Sequence, residues 1–251
     1  MPAPTSPQQW NIPPSTFHLS PDEIHVWQTP LVVPEPIHQQ LTQNLSAKDQ
    51  TRAASFYFDK DRTRWIVGRA VLRILLARYL NTDPHSLNFD TNPYGKPFLT
   101  YPSLPIPLQF NLSHSGDLAL YAFTYTRHIG IDIEYKRPGI EYDALARVSF
   151  SPNERATLRS LPDLLKHDAF YNCWSRKEAY IKARGKGIYL PLDQFDVSLI
   201  PGEPAALLAS REDPEAPTHW TLHDFPPIPD YSSALAVEGR DWKLSCWQFT
   251  S

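Results

Sequence analysis

The stretch GIDIEY, residues 130 to 135, decides how this chain is read. As a strand it turns Ile131 and Ile133 to one face and Asp132 and Glu134 to the other. Residues two apart on a strand are about 6.5–7 Å apart at Cα. Carboxylates that close repel one another unless water or a cation lies between them. The isoleucine face predicts burial in a sheet; the acidic face predicts a site.

Downstream, HDAFYNCWSRKEAYIKARGKG (167–187) predicts the strongest helix of the second half, with Gly185 and Gly187 placed to end it. On a 3.6-residue wheel Phe170, Trp174 and Ile181 form an apolar stripe, and Tyr171, Ser175, Glu178 and Lys182 form a second one beside it. Glu178 and Lys182 are i,i+4 neighbours, which in isolation reads as a surface ion pair worth about 0.3–0.5 kcal/mol. Lys177 falls on the apolar stripe, so its ammonium requires a carboxylate or a phosphate within reach. Upstream, FNLSHSG (110–116) delivers Asn, Ser, His and Ser from a strand into a glycine turn. Its serines are either ligand donors or turn residues bonded to their own backbone. NPYGKP (92–97) projects Lys96 from a tight loop, a common way to grip a phosphate.

Further out, DEIHVWQTPLVV (22–33) predicts a strand, and residues 34–56 a helix in two pieces. Residues 61–80 give the clearest helix of the first half, 87–99 two extended segments around a turn, and 107–125 two strands around another. Helices follow over 142–150 and 151–161, with Ser151 or Asn153 as N-cap. Strand-like runs occur at 195–200, 218–225, 232–239 and 242–249. Each half thus offers strands around one long helix, an α+β layout.

The order and spacing of YGKP, FNLSHS, GIDIE and WSRKEAYIKARGKG closely resembles the 4′-phosphopantetheinyl transferases, in their larger, pseudo-dimeric surfactin-type branch. The likeness extends through FYFDKDRTRWIVGRAVLR (56–73) and GIYLPLDQFDV (187–197), and so over residues 45 to 200. It implies two similar subdomains, each a small, mostly antiparallel sheet packed on a long helix. The expected division is a Pro-rich, loosely held arm over 1–15, an N-terminal subdomain over 16–126 and a C-terminal one over 127–251 that carries the metal site. It implies transfer of the phosphopantetheine arm of coenzyme A to a serine of an apo acyl or peptidyl carrier protein, with release of 3′,5′-ADP. Carriers of fatty-acid, polyketide and peptide synthases are all open.

Residue by residue, Asp132 and Glu134 match the family's metal-binding acids on the strand, and Glu178 the helix glutamate that completes the site for Mg²⁺, or for Mn²⁺. Lys182 matches the lysine on the CoA phosphates, Ser113 and His114 the CoA-binding pair, and Lys96 the loop lysine near adenine and the 3′-phosphate. Arg52 aligns with a basic 3′-phosphate contact. A second such contact falls near Asp49 here, a departure, with Lys48 beside it and Arg62 and Arg64 as substitutes. Asp132, Glu178 and Lys182 are the expected catalytic set. Glu178 is general base, metal ligand or both, the carrier serine losing its proton to it directly or through water.

Composition is consistent with this reading. The 251 residues carry 24 Lys and Arg against 27 Asp and Glu, a net charge of −3 that gives no electrostatic reason for nucleic acid or an anionic membrane. Of five arginines between 62 and 78, Arg69 and Arg73 are one turn apart on an amphipathic helix with no aromatic between them, which reads as a solvated face. Two cysteines exclude a disulfide framework and suit a reducing cytosol, and Cys173 reads as a core residue. The N-terminus lacks the basic and apolar regions of a secretory signal, and no apolar run reaches the ~18 residues that span a bilayer. The expectation is a cytoplasmic monomer with CoA held between its two halves. The rivals are a CoA- or carrier-binding module without activity and a metal-dependent diphosphate hydrolase.

Overall fold

The computed structural model describes residues 9–14, 16–101 and 106–250. The chain runs β1 (Glu23–Pro30), α1 (Glu35–Thr42), α2 (Ala47–Ala54), α3 (Asp59–Leu80), β2 (Asn88–Thr91), β3 (Pro97–Tyr101), β4 (Leu108–Ser115), β5 (Leu118–Tyr125) and β6 (Ile129–Tyr135). It continues with α4 (Tyr142–Ser149), α5 (Pro152–Ser160), α6 (Asp163–Arg184), β7 (Phe195–Val197), β8 (Leu207–Ser210), α7 (Ala216–His219), β9 (Trp220–Asp224), β10 (Tyr231–Glu238) and β11 (Lys243–Gln248).

Local chemistry sets the boundaries. Ser46 and Ser151 each close a capping box, with Asp49 and Glu154 as reciprocal partners. Of the two N-cap candidates for α5, Ser151 takes the position. Helix α6 ends where Gly185 adopts φ +63°, the left-handed turn that a glycine accepts without strain.

The molecule is α+β, with four layers. One sheet, in the order β11-β1-β5-β4, packs Trp27, Tyr121 and Phe123 onto Val67, Val71 and Leu75 of α3. A second, β6-β10-β9, packs Ala234, Ala236 and Leu222 onto Ala179, Tyr180 and Ala183 of α6. Between the sheets lies a third core, in which Ile24, Val26, Leu120 and Ala122 of the first meet Ile129, Ile131, Ile133, Leu235 and Val237 of the second. The isoleucine face of GIDIEY is therefore buried as its alternation predicts. Two similar helix-on-sheet subdomains stand with their sheets face to face.

One connection departs from simple halves. Strand β11 pairs parallel to β1, Glu23 opposite Lys243 and Gln28 opposite Gln248, so the last strand belongs to the first subdomain's sheet. The Pro-rich arm expected over 1–15 lies outside the described residues at 1–8 and 15. Within it, Asn11 forms a parallel bridge to Trp247, its amide donating to Cys246 O at 3.0 Å. No helix among the described residues is long and apolar enough to cross a membrane.

Candidate functional site

The site lies where β4 and β6 run side by side, one from each subdomain. They are joined by side chains, because β4 pairs with β5 and β6 with β10. Alternate residues of β4 supply the links. Asn111 Oδ1 accepts the amide of Ile131 at 2.8 Å, and Ser113 Oγ donates to Asp132 Oδ1 at 2.9 Å. Ser115 Oγ donates to Glu134 Oε2 at 3.0 Å and accepts the amide of Tyr135 at 3.0 Å. Ser113 and Ser115 do not bond their own turn, one of the two readings that the sequence leaves open. Both hydroxyls bridge to β6, and Asn111, two residues upstream of Ser113 on the same face, does the same, a role that the sequence carries only as period-2 spacing.

Helix α6 closes the site from the other side. Lys182 Nζ stands 2.6 Å from Asp132 Oδ1 and 2.8 Å from Ser113 Oγ, so Ser113, Asp132 and Lys182 form a triangle in hydrogen-bond contact. Asp132 is 2% exposed, and its Oδ2 is buried without a hydrogen-bond partner among the described residues. Burial, and then the charge of Asp132, push the carboxyls of Glu134 and Glu178 above their ordinary range. The three acids therefore share one neighbourhood and repel. Among the described residues no group of three His, Cys, Asp or Glu side chains is drawn together into a metal-binding cluster.

The donor set nonetheless fits a hard cation. It is all oxygen, and among the described residues one buried carboxylate oxygen lacks a donor and the like charges have Lys182 as their counterion. Mg²⁺ characteristically takes one or two carboxylates and keeps waters and substrate phosphates in its remaining positions, so a closed protein cage is not required.

Glu178 and Lys182 open onto a cleft of about 540 Å³. Tyr94, Gly95 and Lys96 line it from the first subdomain, and Ile181 and Leu190–Asp193 from the second. The size is that of a small-molecule site, at a subdomain boundary where such sites concentrate. Lys96 is bound into the boundary itself, Nζ donating to Ile129 O at 2.9 Å and to Ala183 O at 3.4 Å. Burial brings its ammonium down to about 8. Asn92 Nδ2 caps Gly185 O at 2.9 Å, so the 92–96 turn holds the C-terminal end of α6.

The remaining predicted residues lie elsewhere. His114 alternates to the opposite face of β4 from Ser113 and lines a separate cavity with Phe56, Arg64, Trp65 and Arg137. Burial, then the positive charges of Lys182 and Arg64, hold its imidazole below the usual range. Arg52 lies exposed on α2, its guanidinium 5.2 Å from the Phe56 ring centroid, beside a third cavity. Asp49 is buried and bonded to Arg69 at 2.8 Å and Arg73 at 2.5 Å, a structural hub and no anion contact. Arg62 and Arg64 are paired with Asp59 and Asp117.

A family model described as the 4′-phosphopantetheinyl transferase superfamily matches residues 128–237, and one described as the N-terminal part of 4′-phosphopantetheinyl transferase matches residues 34–125. The chain is 41% identical over 240 residues to the 4′-phosphopantetheinyl transferase HetI of Nostoc sp., covering 96% of this chain and 98% of that one. It is 37% identical over 155 residues to the 4′-phosphopantetheinyl transferase Sfp of Bacillus subtilis, covering 62% and 66%. A mouse relative, L-aminoadipate-semialdehyde dehydrogenase-phosphopantetheinyl transferase, is 33% identical over 165 residues, covering 62% and 53%.

Proposed function

The chain belongs to the 4′-phosphopantetheinyl transferase superfamily, and we propose that it transfers the phosphopantetheine arm of coenzyme A to a serine of an apo acyl or peptidyl carrier protein. The observation that carries the reading is the Ser113–Asp132–Lys182 triangle with Glu178 beside it, at the mouth of a cleft between subdomains.

In the reaction the carrier serine oxygen attacks the β-phosphorus of coenzyme A, and the bond from that phosphorus to the oxygen leading to 3′,5′-ADP breaks. Asp132, Glu134 and Glu178 are the residues that would hold Mg²⁺ or Mn²⁺. When bound, the ion supplies Lewis-acid polarisation of the diphosphate and neutralises its charge. Lys182, already within hydrogen-bond reach of Asp132, turns its ammonium to the phosphate oxygens and stabilises charge growing on the leaving group. Glu178 takes the serine proton, directly or through water. Its raised proton affinity, from burial and from Asp132, moves it toward the operating pH, where a general base works best. Ser113 orients Asp132.

His114, Arg52 and Lys96 are further coenzyme A contacts in this reading. His114 lines one cavity with Arg64 and Arg137, and Arg52 another with Lys48; the guanidinium and ammonium groups there suit the outlying phosphate, with His114 as a neutral hydrogen-bonding partner. Lys96 borders the main cleft while it clasps the boundary. The protein works as a monomer, since its own two subdomains supply both walls of the cleft. Two buried free cysteines accord with the cytoplasm.

The test is incubation with coenzyme A, Mg²⁺ and an apo carrier, read by mass spectrometry of the carrier. The expected result is one added phosphopantetheine. Cleavage of coenzyme A with an unmodified carrier would mark a hydrolase instead, and neither product would mark a binding module.

A further inference from the structure

Lys177 immediately precedes Glu178 on α6 yet points away from the cleft into the interior, where it is 1% exposed. An ammonium has three protons to donate, and Lys177 Nζ has three oxygen acceptors. Glu154 Oε2 lies at 2.8 Å, Leu192 O at 2.6 Å and Phe195 O at 2.6 Å. The Phe195 ring lies beneath, its centroid 4.2 Å away. Glu154, 2% exposed, is equally committed. Its Oε2 accepts the amide of Ser151 and its Oε1 the amide of Val197, each at 2.8 Å. One ion pair thereby joins α6, the N-terminus of α5, the 190–195 segment and β7.

We infer that Lys177 and Glu154 are positioning residues that set one wall of the coenzyme A cleft against Glu178, an inference that rests on the function proposed above. Leu190, Pro191, Leu192 and Asp193 form that wall. The wall residues have little long-range main-chain support. The amides of Leu190 and Gln194 make short-range turns to Gly187 O at 3.2 Å and Pro191 O at 3.1 Å, and the segment is tied to the sheet at its far end, where Gln194 O accepts the amide of Arg211 at 2.9 Å and Phe195 pairs with Ser210. Two of its remaining carbonyls end on Lys177. A buried ion pair is a poor stabiliser, since apolar residues of equal volume often serve as well. What it supplies beyond methylene groups is direction: it fixes where the carbonyls of Leu192 and Phe195 stand relative to the helix turn that carries Glu178. A wall displaced by about 1 Å costs a substrate its fit without touching the reacting groups.

The test replaces both charges at once, Lys177→Met with Glu154→Gln, which leaves no unpaired buried ion. Coenzyme A affinity is measured by calorimetry, KM and kcat by carrier modification, and main-chain order by hydrogen exchange. The expected result is a folded variant with affinity for coenzyme A and KM weakened about tenfold, kcat changed less than about threefold, and faster exchange over 190–197 while 170–182 stays protected. A folded variant with wild-type affinity and KM would overturn the inference, as would a fall in kcat alone. Should the double variant not fold, Glu154→Gln alone is read the same way, with weakening of about threefold expected and unchanged affinity counting against the pair. If the wild-type chain does not bind coenzyme A, the functional reading fails instead, and exchange over 190–197 still decides whether the pair holds the wall.

Discussion

Gly130 of β6 lies so close to α6 that a Cβ on it would stand 2.1 Å from the carbonyl oxygen of Ala179 and 2.2 Å from the amide nitrogen of Ala183. Neither atom can yield, because both belong to helix backbone. The glycine that opens GIDIEY thus permits strand and helix to touch, and the contact sets Asp132 two residues along the strand against Lys182 three residues along the helix.

Gly130→Ala is accordingly expected to force the two elements apart. The cost is about 3 kcal/mol or more, at the upper end of what overpacking produces. It should appear in urea unfolding as a lowered midpoint, together with loss of transfer. A midpoint equal to that of wild type would show that the approach is not what the strand requires.

Asp132→Ala removes the carboxylate at the centre of the triangle and also a buried oxygen that has no hydrogen-bond partner among the described residues. Transfer should be abolished while circular dichroism and the folded fraction stay as in wild type. Wild-type-like turnover would overturn the site assignment.

Glu134 and Glu178 are held protonated to higher pH than ordinary carboxyls, by burial and then by Asp132. A folded pKa raised above the unfolded one means that their cost to the fold grows as pH rises through that range. A cation bound among them relieves the cost. Saturating Mg²⁺ should therefore raise the melting temperature at pH 7–8, by about 2.7 kcal/mol in stability at a hundredfold excess over Kd. The gain should shrink toward pH 5, where protons compete for the same oxygens, and vanish in Asp132→Asn.

His25 is buried, its Nδ1 2.8 Å from the hydroxyl of Tyr79, which accepts the Trp27 indole N–H at 2.7 Å. That hydroxyl can give its own proton to Nδ1 of a neutral imidazole, an arrangement that protonation of the ring would break, while Glu23 Oε2, 3.8 Å from Nε2, works in the opposite direction. Burial lowers its pKa in the fold. The unfolded chain then binds the proton more readily, and stability present above about pH 6.5 is lost as pH falls below it. His25→Gln should flatten that decline in urea midpoints measured between pH 7 and pH 5.

Asp49 neutralises Arg73, which is 2% exposed. Asp49→Ala strands a buried guanidinium at a cost of about 3–5 kcal/mol. Thermal unfolding should register a drop of roughly 10 °C in a chain of this size.

The acids were legible because a two-residue alternation between isoleucine and carboxylate has one physical meaning in a strand. The helices expected over 61–80 and from 167 were legible from their periodicity and form over 59–80 and 163–184; Gly185 ends the second as expected, and Asn81, unforeseen, ends the first in the left-handed region. What local sequence does not encode is partnership at a distance. Lys177 was recognisable as a charge in need of a counterion, but Glu154 lies 23 positions upstream with only its capping role written locally. Asp49 resembles any surface acid in a capping box until α3 brings two arginines to it. Strand β8 is four residues long, too short for its alternation to register.

The parallel pairing of β11 with β1 has a kinetic consequence. The strands joined there are separated by roughly 200 residues of chain, so the amino-terminal sheet stays incomplete during synthesis until residues 243–248 have left the ribosome. At translation speeds of about 5–20 residues per second, that interval is on the order of ten seconds or more. Throughout it β1 presents an open edge, and the nascent amino-terminal half is the stage at which this protein is most exposed to misassembly.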